Sequence, residues 1–233
     1  MYKILKAETL AAKIHLMVVH APRVASHCQP GQFIIVKLDE KGERIPLTIC
    51  DYDEKAGTVT IVFQTVGAST ERMAYLEEGD TFQDFVGPLG CPSDLIEEDI
   101  EELKKKKIVF IAGGVGTAPM LYLGEQLAKN GHKPTFLLGA RSDKDLLQLE
   151  EFVKYGEVYT TTEDGSHGEK GYVTQHSILN KVRFEQIYTC GPKPMMVAVA
   201  KYAKSNQIEC EVSLENTMAC GIGACLCCVE NTT

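Results

Sequence analysis

The arrangement of apolar segments in the second half of the chain constrains its fold more than any other sequence feature. Short hydrophobic runs predict strands at residues 108–112, 135–138, 158–161, 186–190 and 208–212. The segments between them predict helices near residues 118–129, 144–155, 174–179 and 194–205. Because neighbouring parallel strands need a long, usually helical crossover, this alternation predicts βαβ units and a mostly parallel, doubly wound α/β sheet.

The first 95 residues follow a different pattern, in which short strands are separated by turn residues. Strands are predicted at residues 14–20, 32–38, 58–64 and 81–86, with one helix at residues 70–76. This pattern is typical of a small antiparallel β-barrel or sandwich. The charged segment 93–107 reads as a solvated linker or short helix. We therefore expect a β-domain over residues 1–95, an α/β domain over 96–212 and a cysteine-rich segment over 213–233.

Charge and hydropathy exclude several classes of function. The formal net charge is −8, which disfavours a nucleic-acid partner. No signal-peptide core opens the sequence and no stretch is apolar and long enough to span a bilayer, so we expect a cytoplasmic protein without membrane contact. In a reducing compartment, the crowding of four of the nine cysteines near the end of the chain indicates a metal or redox-cluster site rather than disulfides.

The crowded cysteines have the spacing of an iron–sulfur loop. Cys220, Cys225 and Cys228 form a C-x4-C-x2-C pattern, as in plant-type [2Fe–2S] proteins. The glycines between them allow a tight backbone turn that aims N–H groups at sulfur. A zinc site is the alternative, but zinc commonly uses C-x2-C pairs. Cys227 is predicted to be a bystander.

A [2Fe–2S] cluster needs a fourth ligand, and no cysteine follows Cys228 in the sequence. We therefore expect either that the cluster segment is truncated or that the cluster does not assemble fully here. Cys210 is a poor substitute, because it falls in a predicted strand.

A glycine-rich turn follows the first predicted strand of the α/β half and opens a helix. Backbone at such a turn can approach a pyrophosphate, and helix N-terminal N–H groups favour its negative charge. The predicted cofactor-binding residues are Gly113, Gly114, Gly116 and Thr117. The turn departs from the strict G-x-G-x-x-G pattern, and the second strand leads to Arg141 instead of an acidic residue. A tight packing turn is the alternative reading.

A second turn follows the strand at 186–190, at the sheet edge where ligands of open α/β sheets collect. Its predicted cofactor-binding residues are Cys190, Gly191 and Pro192, although a simple turn with a core thiol would have the same sequence.

Two segments of the β-half also carry candidate binding groups. Arg44 offers a forked donor to a diphosphate, and a hydroxyl follows it in the segment Pro46, Leu47 and Thr48. A second candidate phosphate site precedes the predicted helix, with the residues Gly67, Ser69 and Thr70. A surface charge and ordinary helix capping are the respective alternatives.

The order of these motifs resembles the ferredoxin–NADP reductase superfamily, in which an antiparallel barrel binds FAD and an α/β domain binds NAD(P). The family's R-x-Y-[ST] motif is similar to residues 44–48, its G-x-G-T-P turn to 114–119, and its C-G-P-x-P-M motif to 190–195. The turn at 87–90 also fits. Pro46 stands where the wider superfamily has an aromatic residue.

The cysteine loop narrows the resemblance to two subgroups. They are the electron-transfer subunits of NAD-dependent dihydroorotate dehydrogenase and the small subunits of NADH-dependent ferredoxin:NADP oxidoreductase, also called sulfide dehydrogenase. In the second subgroup the first cluster ligand is often Asp, whereas this chain has Cys220.

The resemblance implies an oxidoreductase subunit that moves electrons between NAD(H), FAD and a [2Fe–2S] cluster. Arg44 and the turn at 67–70 would hold the FAD diphosphate, with Leu47 and Thr48 at the isoalloxazine. The turn at 113–117 would hold the NADH pyrophosphate. Cys190 and Glu215 are the candidate contacts to nicotinamide or flavin. NAD is expected rather than NADP, although Arg141 leaves a 2′-phosphate open.

The resemblance also implies a partner, a larger flavoprotein or iron–sulfur oxidoreductase subunit in a hetero-oligomer. A dihydroorotate dehydrogenase partner would place the chain in pyrimidine biosynthesis. Two alternatives stay open at this point. One is a dinucleotide-sensing subunit without turnover, and the other is a docking subunit stabilised by zinc.

Overall fold

A computed structural model describes residues 1–214 and 216–229, and the chain divides into two compact units. The first unit comprises residues 1–92 together with the described residues from 216 onward. The second comprises residues 93–214. The segment 93–107 therefore belongs to the second unit. There it forms the short helices α3 (Asp94–Glu97) and α4 (Ile100–Leu103), whose Leu95 and Leu103 are buried in the core. Of the two predicted alternatives, the short helix is therefore confirmed and the solvated linker is wrong.

Among its described residues, the first unit has seven strands in one antiparallel, barrel-like sheet, in the order β6-β1-β2-β5-β4-β3-β7. The strands are β1 (Tyr2–Ala11), β2 (Ile14–His20), β3 (Phe33–Lys37), β4 (Ile45–Asp53), β5 (Thr58–Gln64), β6 (Thr81–Phe82) and β7 (Asp84–Leu89). Two helices accompany them, α1 (Pro22–Ala25) and α2 (Ala68–Ala74). The predicted antiparallel β-structure is confirmed.

Alternation of side chains along these strands builds the core of the first unit. On β3, Ile34 and Val36 lie in the core cluster with Ile61 and Phe63 of β5. Residues between them point to the opposite face, as period-two geometry requires.

The second unit has a sheet of six described strands, all parallel, in the order β11-β10-β9-β8-β12-β13. The strands are β8 (Ile108–Gly113), β9 (Thr135–Ala140), β10 (Glu157–Thr162), β11 (Glu169–Lys170), β12 (Gln186–Cys190) and β13 (Glu209–Ser213). The remaining helices are α5 (Thr117–Lys129), α6 (Leu149–Phe152), α7 (Ile178–Lys181) and α8 (Lys193–Asn206). The prediction of a parallel α/β sheet is confirmed.

Apolar side chains cover both faces of this sheet. On β8, Phe110 belongs to a cluster on one face with Phe136, while Val109 and Ile111 belong to a cluster on the other with Ile187. Burial on both faces explains why these strands read as continuous hydrophobic runs.

Strand order reverses between β8 and β12. From β8 the chain winds outward through β9, β10 and β11, and then returns to place β12 and β13 on the other side. In open α/β sheets, a crevice forms at such a switch point, beyond the carboxyl ends of the two central strands.

Two predicted helices of the second unit are each divided into shorter helical segments. The helix predicted at 144–155 is a 3-10 turn at Asp143–Asp145 followed by the single turn of α6, because Gln148 takes a left-handed conformation (φ +55°). The helix predicted at 174–179 is a 3-10 turn at Val173–Gln175 followed by α7. Among the residues that the structure describes, no helix is both long and apolar enough to cross a membrane.

Candidate functional site

The glycine turn lies at the carboxyl end of β8, on one side of the switch point. Gly114 to Gly116 form a 3-10 turn that leads into α5, and the Thr117 hydroxyl donates a hydrogen bond to the Gly114 carbonyl at 2.8 Å. Gly114 has a φ of +57°, and a β-carbon built there would meet no atom within 4 Å. The turn is largely buried, but the half-buried Gly114 borders open space at the start of a helix.

The second predicted turn packs against the first, backbone to backbone. A β-carbon on Gly116 would lie 2.6 Å from the carbonyl carbon and oxygen of Cys190. A β-carbon on Gly191, whose φ is +146°, would lie 2.7 Å from the Gly113 carbonyl oxygen. Only glycine permits this approach. The structure therefore brings the turn at 113–117 together with the turn at 190–192.

Two helices begin at this edge of the sheet. The first turns of α5 and α8 contain no acidic side chain, and α8 begins with Lys193. Unpaired N–H groups and the helix dipole make such N-termini favourable for anions. Together with the close backbone approach, the arrangement suits a pyrophosphate.

The thiol of Cys190 lies among the core residues of the second unit, with 1% of the residue exposed. The contact of Cys190 with a nicotinamide stays a prediction. Because the thiol is buried, the backbone of Cys190 rather than its sulfur would make that contact. Glu215, the other predicted contact, lies outside the described residues.

In the first unit, Arg44 immediately precedes β4 and is half-buried. Its Nε donates a hydrogen bond to the Ala219 carbonyl at 2.7 Å. On β4, Leu47 packs against the core, so Pro46 and Thr48 point to the opposite face. Leu47 and Thr48 therefore lie on opposite faces of β4, and their contacts with the flavin stay predictions.

In the turn before α2, the side chains of Thr70 and Ser69 are hydrogen-bonded, whereas Gly67 borders open space. The Thr70 hydroxyl accepts the N–H groups of Val66 and Gly67 at 2.9 and 3.1 Å, which is a capping role. Ser69 donates to the carboxylate of Glu43 at 2.5 Å. Gly67 has no atom within 4 Å of a built β-carbon.

The cysteine loop turns through left-handed backbone at Gly221 and Gly223, with φ values of +72° and +76°. The N–H of Cys225 donates to the Cys220 sulfur at 3.4 Å. The backbone N–H groups of Ile222 and Cys225 lower the pKa of the Cys220 thiol to about 6. This donor set fits a thiolate ligand, since a thiolate is the form that binds iron.

The iron–sulfur cluster itself stays a prediction. Within residues 1–214 and 216–229, no group of three or more His, Cys, Asp or Glu side chains is arranged to hold a metal ion. The thiol of Cys227 donates to the Thr217 carbonyl at 3.7 Å, in keeping with a bystander. Cys210 lies in β13 of the second unit, where burial raises its pKa to about 11.

Sequence reasoning missed Glu43, Ala219 and Glu211. The half-buried Glu211 accepts a hydrogen bond from the Ser93 hydroxyl at 3.0 Å, and desolvation raises its pKa to about 7. Glu43 could have been singled out from the sequence, because it is the neighbour of the predicted site residue Arg44. The other contacts join residues more than 100 positions apart, and no sequence pattern marks them.

The chain is similar in sequence to an oxidoreductase family and to known electron-transfer subunits. A family model described as an oxidoreductase NAD-binding domain matches residues 110–201. The electron-transfer subunit of dihydroorotate dehydrogenase B (NAD(+)) from Shouchella clausii is 35% identical over 230 residues, covering 97% of this chain and 86% of that protein. The corresponding Listeria monocytogenes serotype 4a subunit is 37% identical over 229 residues, covering 97% and 87%.

Solved structures agree with the sequence comparison. The structure of NADH-dependent reduced ferredoxin-NADP oxidoreductase matches with a TM-score of 0.86 and 33% identity, covering 98% of this chain and 81% of that one. A ferredoxin NADP+ reductase from Neisseria gonorrhoeae with bound FAD and NADP has a TM-score of 0.72 at 16% identity, covering 91% and 98%. The second likeness shows the fold alone.

Proposed function

The chain belongs to the family of dihydroorotate dehydrogenase electron-transfer subunits within the ferredoxin–NADP reductase superfamily, and we propose that it passes electrons from NADH through FAD and a [2Fe–2S] cluster to a partner subunit. It is an FAD-dependent NAD(P)H oxidoreductase subunit. One observation carries the proposal: at the switch point, the turns at 113–117 and 190–192 pack backbone to backbone and leave open space over Gly114.

The residues of this crevice would bind and orient the dinucleotide. The backbone of Gly113 to Gly116 and the first N–H groups of α5 would hold the pyrophosphate. The backbone at Cys190 to Pro192 would lie by the nicotinamide. Because a β-carbon at Gly116 or Gly191 has no room, the two turns keep a fixed spacing, which favours one orientation of the reacting ring.

In the first unit, Arg44 would bind the FAD diphosphate through its terminal amino groups. Thr48, on the outer face of β4, would donate its hydroxyl to the flavin. When bound, nicotinamide supplies hydride, flavin accepts two electrons and releases them singly, and a [2Fe–2S] cluster carries one at a time. Cys220, Cys225 and Cys228 would supply three of the four ligands that the cluster needs.

A partner subunit follows from the family. The relatives are electron-transfer subunits of dihydroorotate dehydrogenase B, so the partner would be a flavoprotein or iron–sulfur oxidoreductase subunit in a hetero-oligomer. Ile222, Leu226 and Val229 are interspersed with the cysteines in the sequence, and their exposed apolar side chains would take part in that contact. A dihydroorotate-oxidising partner would place the protein in pyrimidine biosynthesis.

Reconstitution of the full chain with FAD, iron and sulfide under anaerobic conditions tests this function. We expect a yellow-brown protein that uses NADH faster than NADPH to reduce an artificial dye. A preference for NADPH that Arg141→Ala reverses would assign Arg141 to a 2′-phosphate. A colourless protein containing zinc, or one that binds NADH without reducing any dye, would contradict the proposal in favour of a docking or sensing role.

Two cysteine variants sharpen the test of the cluster. Cys225→Ser should lose most of the bound iron, because it removes a proposed ligand. Cys227→Ser is the matched control and should keep the iron, since its thiol bonds to the Thr217 carbonyl. Equal iron loss in both variants would contradict the ligand assignment.

A further inference from the structure

The side chain of Arg44 reaches the cysteine loop. Its Nε donates to the carbonyl of Ala219, and Ala219 directly precedes Cys220. The two bonded residues are 175 positions apart in sequence, so this bond fixes the loop to the strand that carries the proposed flavin-binding groups.

The loop also lies directly on the outer face of β3. Ile34 and Val36 belong to the core, whereas Ile35 points the other way and is nevertheless 0% exposed. A β-carbon built on Gly221 would come within 2.5 Å of Ile35 Cδ1 and 3.0 Å of Leu89 Cδ1. The loop therefore packs against β3 and β7 at Gly221, two residues after the Ala219 carbonyl that Arg44 binds.

The bond to Ala219 uses only part of the donor capacity of Arg44. A guanidinium has five N–H donors, and Nε carries one of them. The carbonyl of Ala219 is neutral, and within residues 1–214 and 216–229 no carboxylate forms an ion pair with Arg44. Among the described residues, none thus occupies the two terminal amino groups, which together with the positive charge suit an anion.

We propose that Arg44 is a positioning residue of the cysteine loop, and that it couples flavin binding to loop order. Its Nε–H holds the backbone next to Cys220, while its terminal amino groups bind the flavin diphosphate. A diphosphate that immobilises the guanidinium would also immobilise the Ala219 carbonyl. The coupling rests on the proposed function, whereas the positioning of the loop does not.

Two substitutions separate the two roles of the side chain. In Arg44→Gln, the amide nitrogen takes the place of Nε, so the donor to Ala219 is kept while the charge is lost. In Arg44→Lys, a methylene takes that place, so the donor is lost while the charge is kept. Arg23→Gln, at an exposed position of α1, is a matched control for charge removal.

The experiment measures hydrogen–deuterium exchange of the loop around Cys220 and Cys225 in the full chain, with and without FAD, and FAD affinity by flavin fluorescence. Without FAD, loop exchange should be about 2- to 12-fold faster in the Lys variant, the range for one hydrogen bond, and unchanged in the Gln variant. FAD affinity should fall about 10-fold or more in the Gln variant and less in the Lys variant. FAD should slow loop exchange in the wild type but not in the Lys variant.

Four results would overturn parts of the proposal. Wild-type exchange in the Lys variant, or equal acceleration in both variants, would remove the positioning role. FAD binding without any slowing of loop exchange would remove the coupling. A wild-type chain that binds no FAD would overturn the proposed function as well as the coupling, while the Lys–Gln difference in exchange would still report on positioning.

Discussion

Single glycines decide what the crevice of the second unit can bind. Gly116 and Gly191 lie where two turns touch, and a side chain has no space at either position. Gly114 is different, because its left-handed backbone faces open space. The first two residues are thus required for packing, and we propose that the third gives a ligand access to the backbone.

This distinction predicts opposite outcomes for two alanine substitutions. Gly114→Ala should weaken NADH binding several-fold but cost only about 1–2 kcal/mol of stability, since its strain is that of one left-handed residue. Gly116→Ala should destabilise the second unit more strongly, because its β-carbon would collide with backbone atoms of Cys190. Calorimetric titration with NADH and thermal unfolding measure the two effects. An unchanged melting temperature in Gly116→Ala would contradict the packing.

Glu211 gives stability a pH dependence whose sign follows from its environment. Desolvation raises its folded-state pKa from 4.5 to about 7, with Asp94 and Glu209 adding to the rise and the Ser93 hydroxyl opposing it. Between these values the folded state holds a proton that the unfolded state has released. The contribution is therefore fully present below pH 4.5 and is lost as the pH rises through 7.

Replacing Glu211 with Gln should remove this dependence. At pH 8 the free energy of unfolding should rise by about 1–3 kcal/mol, because the half-buried charge is gone. At pH 5 the two proteins should differ little. Urea unfolding at both pH values measures the effect, with Glu163→Gln, at an exposed position of the same unit, as control. A gain at pH 5 equal to that at pH 8 would contradict the raised pKa.

At the residue scale, the sequence predicted sites that depend on local backbone and missed those that depend on distant partners. The turn at 113–117 was found because glycine next to an apolar strand is a local signal. The bond of Arg44 to Ala219 and that of Ser93 to Glu211 join residues 175 and 118 positions apart. Only the folded chain defines such pairs.

At the scale of elements, α5 is held against the sheet by a close helix–strand contact. A β-carbon on Gly124 would lie 2.4 Å from the ring of Phe136 on β9, and Phe136 in turn packs edge-on against Phe152 of α6. The absence of a side chain at Gly124 therefore sets how closely α5 approaches β9.

Gly124→Ala should lower the melting temperature, although helix propensity alone predicts a gain of about 1 kcal/mol. The clash with the Phe136 ring should outweigh that gain, since overpacking costs about 1–3 kcal/mol. Thermal unfolding of a double-mutant cycle with Phe136→Leu measures the coupling. The same loss in both backgrounds would show that the ring is not the cause.

Elements with strong local periodicity were predicted, and those fixed by tertiary contacts were not. The helices α5 and α8 were found almost to their ends. Strand β1 was not delimited, because only Ile4 among its residues is buried and no apolar alternation marks it. The short helix α6 depends on the buried Phe152 and on the left-handed Gln148, which a helical pattern does not reveal.

At the scale of the whole molecule, the order of the strands places motifs that are distant in the sequence next to one another. The reversal between β8 and β12 brings turns about 75 residues apart to one sheet edge, as such switch points do. The sequence predicted the antiparallel sheet of the first unit and the parallel sheet of the second, because hydrophobic periodicity and strand composition are local properties. Strand order is a property of pairing between distant segments, so only the structure shows that β8 and β12 are neighbours.

Anaerobic mixing of the FAD-loaded full chain with NADH is the most direct test of the proposed electron transfer. We predict that one equivalent of NADH bleaches the visible absorption of the bound flavin, and that Gly114→Ala requires a higher NADH concentration for the same rate. A chain that retains FAD but keeps its full flavin absorption with excess NADH would contradict the proposal.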